Sequence, residues 1–206
     1  MVAPLRNKNS LEQTGFQLTD NGFIFYGSSY KYDDVVETKF VKSVFEVKQV
    51  GLGIIGRSTS ISFKLLMNTG EIIQLTEQPT LISNNSLSDV ERVQNIFNAI
   101  SQKTWNNRVK KYEKQIQERG FFNYCGWNFY PQQKKVVDVE ENRTYFANST
   151  NFLKEYDIIT VVSKDEGIGS KLLRKIGYKP RIINTITDTD VFFALLKHYF
   201  NLQWRQ

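Results

Sequence analysis

Three glycines in "GLGIIGRST" (residues 51–59), Gly51, Gly53 and Gly56, stand at the spacing of a dinucleotide-binding fingerprint. That motif ends a strand, turns tightly and opens a helix, whose unpaired N–H groups meet a pyrophosphate. A strand-like run precedes Gly51, and the acid the motif asks for is present further on as Glu71. The residues after Gly56 argue against the cradle. In "RSTSISFKLL", Ser60, Ser62 and Lys64 alternate with Ile61, Phe63 and Leu65, the period of a strand, and a strand offers no helix N-terminus. The stretch reads instead as a glycine-flexed hairpin tip carrying Leu52, Ile54 and Ile55 beside Arg57. Exposed apolar groups next to a cation suit contact with a partner protein or a membrane interface.

Other chemistry is sparse. His198 is the single histidine and has no sequence partners for general-base or metal-ligand work, so a surface or packing role is expected. Cys125 lies in a run of aromatics without cationic neighbours, and reads as a small buried hydrophobe. Zinc would require several Cys or His ligands, which the chain does not group. Asp33-Asp34 and Glu140-Glu141 are adjacent acids, which a strand sends to opposite faces. Asp188 and Asp190 together are explained by helix capping. A basic run, Lys103, Arg108, Lys110, Lys111, Lys114 and Arg119, offers phosphate contacts, with Trp105 or Tyr112 as stacking groups. Its bland reading is a solvated helix face with the aromatics turned inward. These residues predict no cofactor, no metal and no enzymatic activity.

Those side chains need elements to position them. "GFIFYG" (22–27), "YKYDDVVETKFV" (30–41), "SVFEVKQV" (43–50) and "STSISFKLLMNTGEIIQLTE" (58–77) are rich in β-branched and aromatic residues and punctuated by Gly, Asn and Asp, so residues 16–77 read as an antiparallel meander. The period then changes. From Ser86 to Gly120, Val90, Val93, Phe97, Ile100, Trp105, Val109, Tyr112 and Ile116 predict an apolar stripe on one long helix, or on two broken near "TWNN". Strands return with "FFNYCGWNFYP", "KKVVDVEEN", "RTYFAN", "YDIITVVSK", "KLLRKIGYK" and "RIINTITD". A final helix then turns Val191, Ala194, Leu195, Tyr199 and Leu202 inward.

Strands followed by one helix therefore occur twice. Residues 43–77 and 156–188 share a layout of strand, Gly-rich loop, strand, Gly turn and strand, which suggests a duplication. In the second copy "KDEGIGSK" (164–171) sets Ile168 between glycines, flanked by Lys164 and Lys171, as a counterpart of the first tip.

"FQLTDNGFIFYGSSYKYDDV" (16–35), with Asn21-Gly22, a strand, a short turn and Tyr-x-Asp-Asp-Val, resembles the opening of bacterial pleckstrin-homology-like (PH-like) domains. The long meander and terminal amphipathic helix are similar to that family as well. The resemblance implies a bent, roughly seven-stranded antiparallel sheet plugged by its helix, a scaffold whose roles range from phosphoinositide binding to peptide docking. It covers the first lobe directly and the second through the repeat. The expected fold class is α+β, with two PH-like lobes in tandem, each a bent, barrel-like antiparallel sheet closed by a C-terminal helix. The expected domains are a tail at 1–15, a first lobe with the long helix at 16–119 and a second lobe at 120–206.

Composition bounds the partners. A length of 206 residues with 23% charged and 14% aromatic side chains suits a folded chain, and a formal net charge of +6 permits an acidic partner without requiring one. One cysteine argues for a reducing compartment, and no run approaches a membrane span or a signal peptide, so a cytoplasmic location is expected. The functional expectation is a non-enzymatic adaptor that presents Leu52, Ile54, Ile55, Arg57, Ile168, Lys171 and a sheet edge to a protein or an anionic lipid headgroup. The alternative is a nucleic-acid binder using Arg108, Lys110, Lys111 and Lys114.

Overall fold

Hairpin chemistry explains how the sheets begin. The computed structural model describes residues 9–49, 53–77, 86–155, 158–163, 181–184, 187–200 and 203–204. Tyr26 and Gly27 both take positive φ, 49° and 76°, the backbone pair that joins two strands with matching twist. They close β2 (Gly22–Phe25) onto β3 (Ser28–Lys31), with β1 (Gln17–Leu18) on the other side of β2. Cys125 and Gly126, at φ 47° and 82°, do the same between β7 (Phe122–Tyr124) and β8 (Trp127–Tyr130).

The two registers correspond. Phe23 faces Tyr30 and Phe25 faces Ser28 in one hairpin; Phe122 faces Phe129 and Tyr124 faces Trp127 in the other. "FIFYGSSYKY" and "FNYCGWNFYP" thus align residue for residue about their glycines.

Contacts divide the chain into two units, Met1–Arg108 and Val109–Gln206. In the first, a short helix α1 (Leu11–Thr14) is capped by the Ser10 hydroxyl, which accepts from the Gln13 N–H at 3.3 Å. A 3-10 turn at Tyr32–Asp34 interrupts the chain after β3. Then β4 (Val35–Gln49), β5 (Gly53–Met67) and β6 (Ile72–Glu77) form a second antiparallel sheet in the order β4-β5-β6. Phe16, Phe23, Ile61, Phe63, Leu65, Ile73 and Leu75 are buried together with Val90, Val93 and Ile100 of helix α2 (Ser86–Arg119). Helix α2 is continuous through "TWNN", and the unit boundary falls inside it.

In the second unit β9 (Lys135–Asp138) and β10 (Arg143–Phe146) extend the β7–β8 hairpin into the order β10-β9-β8-β7. A further sheet, β13-β12-β11-β14, is built from β11 (Thr150–Glu155), β12 (Ile158–Ser163), β13 (Arg181–Asn184) and β14 (Gln203–Trp204), the last running parallel to β11. Helix α3 (Thr189–Phe200) buries Val191, Phe192, Leu195, Leu196 and Phe200, with the Phe192 ring 3.7 Å from that of Tyr124.

The class is α+β with antiparallel sheets, as the sequence predicts, and among the described residues none of the sheets closes into a barrel. Three details differ from the sequence reading. Residues 16–77 form two sheets rather than one meander, because the 3-10 turn at Tyr32–Asp34 ends the first ladder; Asp33 and Asp34 sit in that turn and not on a strand. "FFNYCGWNFYP" is a hairpin, not a strand. The inward face of α3 carries Phe192, Leu196 and Phe200, while Ala194 and Tyr199 are only half-buried; packing selects the bulkier aromatic row. Leu202 and "KLLRKIGYK" lie outside the described residues.

Candidate contact site

Unequal strand lengths set β4 and β5 apart from β6 in the first unit. Strands β4 and β5 each run 15 residues, but β6 has 6 and pairs only with Ile61–Leu66 of β5. Past the Lys42–Ile61 pair, among the described residues, β4 and β5 pair only with each other, from Ser43 opposite Ser60 to Gln49 opposite Gly53. At the ordinary rise per residue this two-stranded arm extends roughly 20 Å beyond the third strand. Val41 and Val44, at its root, are 39% and 57% exposed.

The arm corrects the reading of the Gly-rich stretch. Its ladder reaches Gln49–Gly53, so Ile54, Ile55 and Arg57 belong to strand β5 and not to a loop tip. Ile54 stands opposite Lys48, Gly56 opposite Val47, and Arg57 opposite Glu46. Ile55 is the extra residue at the register shift between Val47 and Lys48, a bulge that bends and twists the arm near its end. Pairing extends this far because β-branched residues on both strands favour extended backbone. Gly56, in mid-strand, opens no helix, and a pyrophosphate would meet no helix N-terminus there. Leu52 lies outside the described residues, as do Lys164, Ile168 and Lys171 of the second stretch.

The basic run on α2 divides into different environments. Arg108 is fully buried, and this corrects its place on a nucleic-acid face. Its Nε donates to the Thr104 hydroxyl at 3.1 Å, Nη1 to the Thr38 hydroxyl at 3.1 Å, and Nη2 to the Ser101 carbonyl at 2.7 Å and hydroxyl at 2.9 Å. The buried row therefore runs Val93, Ile100, Thr104, Arg108, Tyr112, continuing through polar residues where the sequence pattern picks Trp105 and Val109. Those two are half-buried. Only the four-residue spacing signals the true row, and polar side chains at 104 and 108 conceal it.

Lys111 is turned into an ion pair, its Nζ 2.9 Å from Oδ2 of Asp188, whose side chain is 0% exposed. The Tyr112 hydroxyl donates to the same oxygen at 3.1 Å. Asp188 takes φ 44°, and its carbonyl accepts the Phe192 N–H at 2.8 Å, opening α3. Lys110 remains exposed, and Lys114 is exposed with a weak partner, Glu118, at 3.7 Å. Of the four residues named for nucleic acid, two face solvent.

Cys125 is exposed, not buried, because the hairpin needs positive φ at its position and places it at the turn. His198 is exposed near the end of α3, with its ring edge against Tyr199 at 4.5 Å. Among the described residues no group of three or more His, Cys, Asp or Glu side chains gathers as a metal site, and no helix is long and apolar enough to cross a membrane.

No family model, curated protein or solved structure matches the chain. Its functional reading therefore rests on the geometry above.

One group in the second unit gives a pH signature. The Tyr124 hydroxyl donates to the Thr187 carbonyl at 2.5 Å, and burial, seconded by the nearby Cys125, pushes its titration well above the ordinary phenol range. Below the ordinary value of 10.0 the phenol is neutral whether folded or unfolded. Above it the unfolded chain releases a proton that the folded chain keeps, so stability falls as pH rises. Urea midpoints are expected to fall as pH rises above about 10, and Tyr124→Phe to flatten part of that fall. An unchanged slope in the variant contradicts the assignment.

Proposed function

We propose that the chain is a non-enzymatic binding or adaptor protein of two PH-like lobes, which presents the end of the β4–β5 arm and its edge to a protein or an anionic lipid headgroup. The supporting observation is the arm itself. An isolated two-stranded ribbon is marginal in water, yet among the described residues β4 and β5 pair on past the last residue of β6, with Ile54, Ile55 and Arg57 on that stretch. The matched hairpins at Gly27 and Gly126 support the tandem arrangement. The exposed Lys110 and Lys114 keep a nucleic-acid role as the outcome to be tested against it.

Sedimentation with vesicles of neutral lipid, and of neutral lipid mixed with anionic lipid, is run beside filter-binding titrations with single-stranded DNA and RNA. Anionic vesicles are expected to capture the chain, and Ile54→Ser/Ile55→Ser to release it while Lys110→Glu/Lys114→Glu does not. Salt-insensitive failure to bind vesicles or nucleic acid directs the reading to a protein partner. Binding of RNA or DNA that Lys110→Glu/Lys114→Glu abolishes overturns it.

A further inference from the structure

The arm has a second surface besides its end. Strand β4 is the outer strand of the order β4-β5-β6, so among the described residues no strand pairs with its other side. From Lys39 to Gln49 it is consecutive, because the bulge near the arm's end is contributed by β5. A regular strand edge is a template for another strand, and folded proteins commonly blunt such edges with bulges, prolines or charge. Here Val41 and Val44 are exposed on it beside the exposed Lys42, so an added strand must answer that charge.

The identity of the added strand follows from the charges. When an edge strand pairs antiparallel with its own copy, the two-fold axis stands perpendicular to the sheet and each residue meets one of equal parity. Five axis positions lie along the stretch "KSVFE" (42–46). Axes on Lys42 or Glu46 set like charges face to face. An axis on Phe45 sets Lys42 against Lys48, and one on Ser43 sets Glu46 against Phe40. Of these five, only the axis on Val44 sets opposite charges together, position 42 falling opposite position 46 of the second copy, 41 opposite 47, and 44 opposite itself; an axis on Val47 sets position 46 against 48, but leaves fewer residues of β4 paired.

We propose that β4 pairs antiparallel with β4 of a second copy of this chain, in the register centred on Val44. The inference rests on the reading of the arm as a contact element, and names the occupant of its edge. Because the pairing is antiparallel, the two arm ends point in opposite directions. The dimer then suits bridging two partners better than a doubled grip on one flat membrane.

Sedimentation equilibrium of the full chain is expected to show a concentration-dependent dimer. Lys42→Glu sets two acids opposite each other at both symmetric sites, and Glu46→Lys sets two lysines there. Each variant alone should weaken dimerisation on the order of tenfold. Mixed, the two variants are complementary at both sites, since one copy then carries acids at positions 42 and 46 while the other carries lysines at both. The mixture should dimerise as the unaltered chain does. Lys42 is exposed, so its substitution leaves the core untouched.

As a second measurement, Val44→Cys in a Cys125→Ser background should form an intermolecular disulfide on oxidation. The two introduced thiols are opposite each other at a separation that a disulfide spans. A chain that stays monomeric at every concentration overturns the pairing, as does a dimer indifferent to Lys42→Glu or unrestored by mixing. The functional reading fails separately. A monomer that still binds vesicles through Ile54 and Ile55 leaves that reading intact, and a dimer that binds no partner leaves the pairing intact.

Discussion

Arg108→Ala is expected to destabilise the first unit by about 2–4 kcal/mol, the scale of a large-to-small core truncation that also strips buried groups of a hydrogen-bond donor. Two effects add. The vacated volume lies in the core, on the row that carries Ile100 and Thr104. The hydroxyls of Thr38, Ser101 and Thr104 also lose the donor they accept from. Arg108→Lys should recover little, since one ammonium cannot reach hydroxyls on both β4 and α2 in the fork geometry of a guanidinium. Urea denaturation followed by tryptophan fluorescence measures the loss. Lys110→Ala, two residues away in the same basic run but exposed, should stay within about 0.5 kcal/mol. Replacing the network as a whole, Arg108→Leu with Thr38→Val and Thr104→Val, should restore much of what Arg108→Ala removes. Equal effects of Arg108→Ala and Lys110→Ala would refute the buried network.

Asp188→Ala is expected to cost the second unit about 2–4 kcal/mol, because a buried hydroxyl loses its acceptor and an ion pair is broken. Lys111 can swing toward solvent, its side chain being 29% exposed; Tyr112 is buried and cannot. The backbone contributes as well. At φ 44° alanine is strained, whereas asparagine tolerates that region and keeps a side-chain oxygen. Asp188→Asn should therefore lose less than Asp188→Ala. Asp188→Gly, which relieves φ without restoring an acceptor, should fall between them. Calorimetric melting of the set separates the two contributions, and identical losses for all three would show that neither matters.

The Lys111–Asp188 pair also decides how the nucleic-acid alternative is tested. Reversing Lys111 would take the cation from the buried Asp188 carboxylate and destabilise the unit, mimicking a binding defect. Lys110→Glu/Lys114→Glu changes charge at positions already in water.

Strand period in "SISFKLL", the helical run from Ser86 and its end at Gly120 depend on residues within a few positions of one another. They are legible one segment at a time, and the structure has them where the periods place them. The hairpin at Cys125-Gly126 carries a signal of the same local kind, since it repeats Tyr26-Gly27. That signal goes unread when the duplication is sought between later segments. The candidate site is less legible. Ile54, Ile55 and Arg57 stand out as residues, but their place on a strand depends on Lys48, Val47 and Glu46 pairing with Ile54, Gly56 and Arg57 across the ladder.

Sequence by itself determined the types and order of most elements, the absence of a helix behind the glycines of residues 51–56, and the charge that two exposed lysines still carry. Tertiary structure alone decided that Arg108 is inside while Lys110 is outside, that Lys111 answers Asp188, and that the β4–β5 ladder runs on to Gln49 and Gly53. The reason is physical: periodicity is written in neighbouring residues. Burial of a charge, the length of a ladder and the closing of an ion pair are set by partners about 70 positions away, among them Thr38 for Arg108 and Asp188 for Lys111.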